Sequence, residues 1–153
     1  ICPGFGQDIK ERIASFGVRV VEVDRLTQIK EGIFSSGPIQ TLREGRLVSE
    51  QALVLKFIKK LTVVTGCAHP GIINIIDVVQ RSFVKEKVFS ILGGLHLKDT
   101  PMPQIDEVIL ALKARGISQI APTHCTGQKA TQALKMAYGI DFREVKAGTI
   151  MEI

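Results

Sequence analysis

The chain has 153 residues, of which 45% are apolar and 5% aromatic, and its formal charge is +5. That length suffices for one domain with a sizeable core, and no apolar run is long and uncharged enough to span a bilayer. The basic residues are scattered, as at Lys10 and Arg12, Lys56, Lys59 and Lys60, Lys85 and Lys87, which leaves no electrostatic footprint for nucleic acid, and the few aromatics give no base-stacking platform.

Residues 7–15, "QDIKERIAS", have helical spacing, with Ile9 and Ile13 four apart and Gly17 as a stop. "VRVVEVD" (18–24) is β-branched and partly alternating, which predicts a strand. Residues 25–50 are the least regular, with a turn cluster "SSGP" at 35–38 and a strand ending near "GIF". "QALVLKF" (51–57) and "LTVVTG" (61–66) read as two strands of a hairpin. Pro70–Gly71 opens a helix over 71–81 that is apolar almost all round, so it should be buried on more than one side. "KVFSILGG" (87–94) is a strand. Residues 103–116 form an amphipathic helix with a stripe of Ile105, Val108, Ile109 and Leu112 and a C-terminal Gly116. "ISQIAPTH" (117–124) is a strand, 126–139 a helix stopped by Gly139, and 142–153 one or two further strands. The order from residue 61 is β-α-β-α-β-α-β, the signature of an α/β layered fold with a mostly parallel sheet.

Cys2, Cys67 and Cys125 make an odd count without framework spacing, which argues against a disulfide scaffold and for a reducing, cytoplasmic setting. Signal-peptide architecture is absent. The chain begins at Ile1 rather than Met, so a fragment, a processed product or one part of a larger protein is expected.

The only histidines, His69, His96 and His124, each follow the carboxyl end of a predicted strand, in "TGCAHPG", "LGGLHLK" and "APTHCTG". In open α/β sheets the ligand crevice lies outside those ends. Separations of 27 and 28 residues match the βαβ repeat of roughly 30, so parallel neighbouring strands would bring the three imidazoles together. Neutral imidazole is the commonest protein metal ligand, and thiolate is a good one for zinc, so Cys67 in Cys67-x-His69 is a further candidate. The same cysteine also reads as a small buried apolar residue, the preferred reading for Cys125. Gly66, Gly71, Gly93, Gly94 and Gly127 would let backbone approach an ion or substrate closely. "TGCAHPGIINI" and "PTHCTGQKA" also offer Gly-containing turns that open helices, an arrangement suited to an anion, which makes Gly66, Gly94, Thr126 and Gly127 candidates for substrate or phosphate binding.

"EQALVLK", "VVTGCAHPGIINI", "SILGGLHL" and "APTHCTGQKA", in this order over about 50–130, resemble the metallo-β-lactamase superfamily. The branch they are similar to comprises metal-dependent hydrolases related to the 7,8-dihydropterin-6-methyl-4-(β-D-ribofuranosyl)aminobenzene-5′-phosphate synthase of methanopterin biosynthesis. The resemblance implies an αββα sandwich with one or two metals at the edge between its halves. It also implies a divalent metal, Zn²⁺ or alternatively Mn²⁺ or Fe²⁺, acting at a carbonyl or phosphoryl centre. It places His69 and His124 among the metal ligands and His96, the catalytic candidate, in the substrate pocket or just behind the ligands. The superfamily's H-x-H-x-D-H motif does not occur in the chain. The resemblance therefore implies a C-terminal part only: residues 1–50 as the variable middle region, and 51–153 as the C-terminal βα half. Such a part should be impaired alone, with a phosphoester, ester or pterin-like substrate and a need for a complementary half or self-association. The alternative is a non-catalytic half-domain that binds a ligand or protein. The sheet face meant for a second sheet is expected to carry Leu53, Leu55, Val63 and Ile91 or their alternating neighbours.

Overall fold

The computed structural model of the chain describes residues 1–151. In chain order its elements are α1 (Gln7–Ala14), β1 (Thr27–Lys30), β2 (Ile33–Ser35), β3 (Ile39–Arg43), β4 (Arg46–Glu50), β5 (Leu53–Phe57), β6 (Lys60–Thr65), α2 (Ile72–Ser82), β7 (Lys87–Gly94), α3 (Met102–Ala114), β8 (Gln119–Thr123) and α4 (Gln128–Tyr138). A 3₁₀ turn, His124–Thr126, lies between β8 and α4. Six strands form one mixed sheet in the order β1-β2-β5-β6-β7-β8, while β3 and β4 make a separate two-stranded ribbon. The pairs from β1 to β6 are antiparallel, and β6-β7 and β7-β8 are parallel. This is the α/β architecture expected from the sequence, but the sheet is mixed rather than mostly parallel, because only β6, β7 and β8 are joined through helices.

The parallel part follows from chain economy: each strand returns through a helix, and right-handed crossovers put consecutive helices on the same face when the strands advance in one direction. Register shows which side chains that face carries. Val54 pairs Val63, Val63 pairs Ile91, and Ile91 pairs Ile120. These residues share one core with Ile72, Ile75, Ile76 and Val79 of α2, Ile105, Ile109 and Leu112 of α3, and Ala130 and Leu134 of α4. Each large side chain so buried contributes roughly 1.5–3 kcal/mol. Arg115, just past α3, adds a two-pronged bond to Asp77 of α2 at 2.7 and 2.9 Å, and that guanidinium holds the Asp77 carboxyl below its usual range.

The other face carries the alternating neighbours. Leu53 pairs Val64, Val64 pairs Leu92, and Leu55 pairs Thr62. Leu53 and Leu55 lie where the sequence suggests. Val63 and Ile91 do not: both are fully buried on the helical side, because period-two alternation puts Val54 and not Leu53 opposite Val63. A hollow of about 310 Å³ on this second face is lined by Leu55, Phe57, Lys60, Thr62, Phe89, Ser90 and Gln119.

Three other expectations change. Residues 18–24 are extended but form no strand, since their backbone finds no ladder partner: the Ile1 amino group donates to the Val21 carbonyl, the Val23 amide to the Ile1 carbonyl, and the Gln51 side chain to the Val23 carbonyl. The final strand reduces to a single parallel bridge, Ile120 to Phe142; residues 144–151 are not strand, and positions 152–153 lie outside the described residues. The order from residue 61 is therefore β-α-β-α-β-α. The irregular stretch 25–50 proves to hold four strands. Its two hairpins turn on Glu31–Gly32 and Glu44–Gly45; at the second, φ is 49° and 73°, the doubly positive backbone of a two-residue hairpin turn. No helix among the described residues is long and apolar enough to cross a membrane.

The end of β7 is where the packing is tightest. Gly93 has φ +126°, and a Cβ there would stand 2.1 Å from the Thr65 carbonyl oxygen. Gly93→Ala should therefore lose roughly 1–3 kcal/mol or more from overpacking and backbone strain together. Urea unfolding of the variant beside the parent checks this; an unchanged midpoint would contradict the packing described.

Candidate metal and substrate site

β6, β7 and β8 are neighbours and run the same way, so the loops that follow them emerge at one edge of the sheet. The three histidines stand in those loops. Two of them, His96 and His124, have left-handed backbone (φ 54° and 48°), as does Ala68 beside His69. Histidine enters that region more readily than most residues, and a cluster of such conformations at a strand edge is characteristic of a working site.

The loop after β6 is held by a carboxylate. Oε1 of Glu50 accepts the amides of Cys67 and Ala68, each at 2.9 Å, and Oε2 accepts the amide of His69 at 2.7 Å. Three successive N–H groups curled by a positive φ make a concavity for an anion, and here the chain's own carboxylate fills it. Oε2 also lies 3.2 Å from Nδ1 of His69. The His69 ring thus lies beside the carboxylate that holds its own loop.

His96 lies against His69, with ring centroids 4.7 Å apart at a 60° tilt. Its Nε2 contacts the guanidinium of Arg43, so Nε2 is the acceptor and Nδ1 carries the proton. That Nδ1 is buried without a hydrogen-bond partner. Burial first, then the Arg43 charge and the His69 ring, lower the pKa of His96, which keeps the ring neutral at pH 7. Arg43 and Glu50 come from opposite ends of the β3–β4 ribbon, Arg43 at its turn and Glu50 at its exit. Arg43, His96, Lys98, Asp99, Thr100 and Cys125 line a hollow of about 260 Å³ beside the rings.

The third element is sulfur. Ligand atoms of Cys67, His124 and Cys125 all lie within 4.8 Å of one another, the cluster of three metal-ligating side chains found among the described residues. The Cys125 thiol donates to the Cys67 carbonyl at 3.3 Å. Burial, then the Cys125 thiol and the Glu50 charge, push the Cys67 thiol up. Cys125, read from sequence as a small apolar residue, here shares a ligand cluster with Cys67. His69 lies two residues from Cys67, in the same Glu50-held loop.

All four expected substrate residues have close structural partners. The Thr126 side chain is buried, accepting the Leu95 amide at 3.1 Å and donating to the Thr123 carbonyl at 2.8 Å. At Gly94 a Cβ would stand 2.4 Å from the Gly66 carbonyl oxygen and 2.7 Å from Cys125 Sγ, and at Gly127 it would stand 2.5 Å from Lys98 Cα. Gly66 is exposed, with its carbonyl accepting the Gly94 amide at 3.1 Å. Sequence reasoning assigned no role to Arg43 or Glu50. The available signal was "TLREGRLV", a two-residue turn flanked by alternating residues, which would have put both on one ribbon.

A solved structure of Tm1679, a metal-dependent hydrolase of the β-lactamase superfamily, superposes with a TM-score of 0.73 at 28% identity, covering 89% of this chain and 58% of that one. The 7,8-dihydropterin-6-methyl-4-(β-D-ribofuranosyl)-aminobenzene-5′-phosphate synthase of Methanocaldococcus jannaschii is 31% identical over 165 aligned positions, 94% of this chain and 56% of the synthase. An uncharacterized protein of the same organism is 30% identical over 62% of this chain and 36% of its own length. No family model matches the chain. The fold is metallo-β-lactamase-like, and the solved structures it resembles are hydrolases of the metallo-β-lactamase superfamily. It spans a little over half the length of the synthase and of the hydrolase it matches.

Glu50→Ala should cost roughly 1–3 kcal/mol, because three amides lose a charged acceptor, while Glu50→Gln, which keeps one acceptor oxygen, should lose less. Urea unfolding of both variants measures the difference. Equal stability of parent and Glu50→Ala would mean that the carboxylate does not hold the loop.

Proposed function

We propose that the chain carries the thiolate- and imidazole-rich edge of a metal-dependent enzyme: a hydrolase, or a synthase acting on a pterin-like substrate. The observation that carries the proposal is the meeting of Cys67, His124 and Cys125 beside the ordered His69–His96 pair, in a chain whose sequence is similar to the synthase along 94% of its length. Two sulfurs and one imidazole are a three-donor set of the kind that leaves a fourth position open in catalytic zinc sites. Soft sulfur donors favour Zn²⁺ over Mn²⁺. The partnerless buried Nδ1 of His96 supports a polar occupant near the rings.

When bound, the metal supplies Lewis acidity to a carbonyl or phosphoryl centre. The chain's own residues do the rest. Glu50 fixes the 67–69 loop and lies beside the His69 ring. Arg43 and Lys98, at the hollow beside His96, present positive charge to an anionic substrate such as a phosphoester. His96, neutral at pH 7 with Nδ1–H as its donor, orients a substrate oxygen. The alternative, a half-domain that binds a ligand or protein without catalysis, predicts a chain that holds no metal.

The second sheet face belongs to the same proposal. Phe57 is 63% and Leu53 36% exposed there. We take this face as the seat of a complementary sheet, from a chain bearing H-x-H-x-D-H or from a second copy. Sedimentation at micromolar concentration should show association or a co-purifying chain. A stable monomer with no partner would remove this part of the proposal.

Zinc titration against a competing chelator tests the metal site. His124→Ala should weaken zinc binding by more than the roughly 10–100-fold typical of an outer partner, and His96→Ala should leave it near the parent. Affinity should rise with pH, because the raised Cys67 thiol must release its proton to bind. Equal loss in both variants would make His96 a ligand. No zinc binding by the parent would favour the non-catalytic half-domain.

A further inference from the structure

Cys67 and Cys125 are 58 residues apart and follow strands that are not neighbours, since β7 lies between β6 and β8. Their sulfurs nevertheless come within 4.8 Å of each other, and the Cys125 thiol already donates to the Cys67 backbone. The meeting depends on Gly94, at the end of the intervening strand. A Cβ there would stand 2.7 Å from Cys125 Sγ and 3.3 Å from Cys67 Cα, so any side chain would wedge between the two loops. Both cysteines are partly exposed and free, whereas Cys2 is buried. Cys125 also opens on the hollow lined by Arg43, Lys98 and Asp99, where two cations against one carboxylate leave a net positive approach for an anionic thiol reagent.

We propose that Cys67 and Cys125 are a dithiol that closes to a reversible disulfide, and that the closed form excludes a metal ion from the Cys67–His124–Cys125 cluster. The oxidant is a small anionic disulfide of the glutathione type. The Cys125 sulfur, as its thiolate, attacks one sulfur of the reagent, forming a mixed disulfide and expelling one glutathione thiolate. The Cys67 sulfur then attacks the Cys125 sulfur, forming the internal disulfide and expelling the second. Two protein thiols are oxidised, one reagent disulfide is reduced to two thiols, and the two protein protons end on them. A sulfur committed to the bridge no longer offers a thiolate, so the cluster falls from three donors to one imidazole. Closing the bridge brings sulfurs that lie within 4.8 Å to about 2.05 Å, a movement of two partly exposed loops, and reversible pairs of this kind are the exposed, regulatory ones. The metal-excluding half of the inference rests on the proposed metal site; the disulfide itself does not.

The test uses the whole chain, metal-free, with glutathione disulfide as oxidant and dithiothreitol as reductant. Thiols are counted after unfolding, and peptide mapping locates the bridge. The three thiols of the parent should fall to one, with a Cys67–Cys125 crosslink and no bound glutathione, and recover on reduction. Cys125→Ser should form no internal crosslink. Zinc bound beforehand should slow closure, and the oxidised chain should lose its zinc affinity. Three free thiols after oxidation, a bridge through Cys2, or glutathione left on both loop cysteines would overturn the proposal. A bridge in a chain that never binds zinc would sustain the dithiol and overturn both the metal-excluding half and the metal reading. Zinc binding without bridge formation would leave the metal site standing and sink the dithiol. Equal zinc affinity in both redox forms would overturn the exclusion of metal.

Discussion

The site depends on a strand end without side chains. β6 and β8 are separated by β7, and their exit loops can touch only if β7 finishes flush with the sheet. Gly93 and Gly94 provide that. Their backbone lies against the Thr65 and Gly66 carbonyls at distances no Cβ permits, and the Thr65 hydroxyl closes on the Gly94 carbonyl at 2.9 Å. The loops then arch over the glycines, and the Cys67 and Cys125 sulfurs meet. A single methyl group would separate what the sheet topology brings close.

The second constraint is electrostatic. Three amides in a row, curled by the positive φ of Ala68, attract an anion, and an unfilled concavity would leave partly buried donors without acceptors. Glu50 fills it from the end of β4. The ribbon is therefore more than a connection between β2 and β5. It braces the loop through Glu50 at its exit and reaches His96 through Arg43 at its turn. Because both contacts come from one hairpin, the loop of His69 and the ring of His96 are tied to the same ribbon through different residues.

Opposed environments divide the edge into two parts. The Arg43 side is cationic, and the neutral His96 ring sits in it with a lowered pKa. The sulfur side is crowded and partly desolvated, and there the Cys67 thiol is raised. The proposed anionic substrate suits the first part. A soft metal, which displaces thiol protons, suits the second.

The sequence by itself determined the parallel half of the fold. The helices from 71, 103 and 126 are legible because their apolar residues recur at helical spacing and glycines stop them, and the strands at 61–66, 87–94 and 117–124 because they are short, apolar and regularly spaced. The common edge of the three histidines follows from that order alone. The strands at 18–24 and, within the described residues, 142–151 did not form because β-branched residues favour an extended chain but cannot supply a ladder partner; that comes only from the tertiary arrangement. Which face Val63 and Ile91 take was likewise undecided by pattern, since both alternating sets are apolar and register makes the choice. Arg43, Glu50 and Cys125 were assigned no part in the site for the same reason: their partners lie 53, 17 to 19 and 58 residues away. Contacts of that separation exist only once the sheet has closed, so they belong to the structure and not to any local stretch of chain.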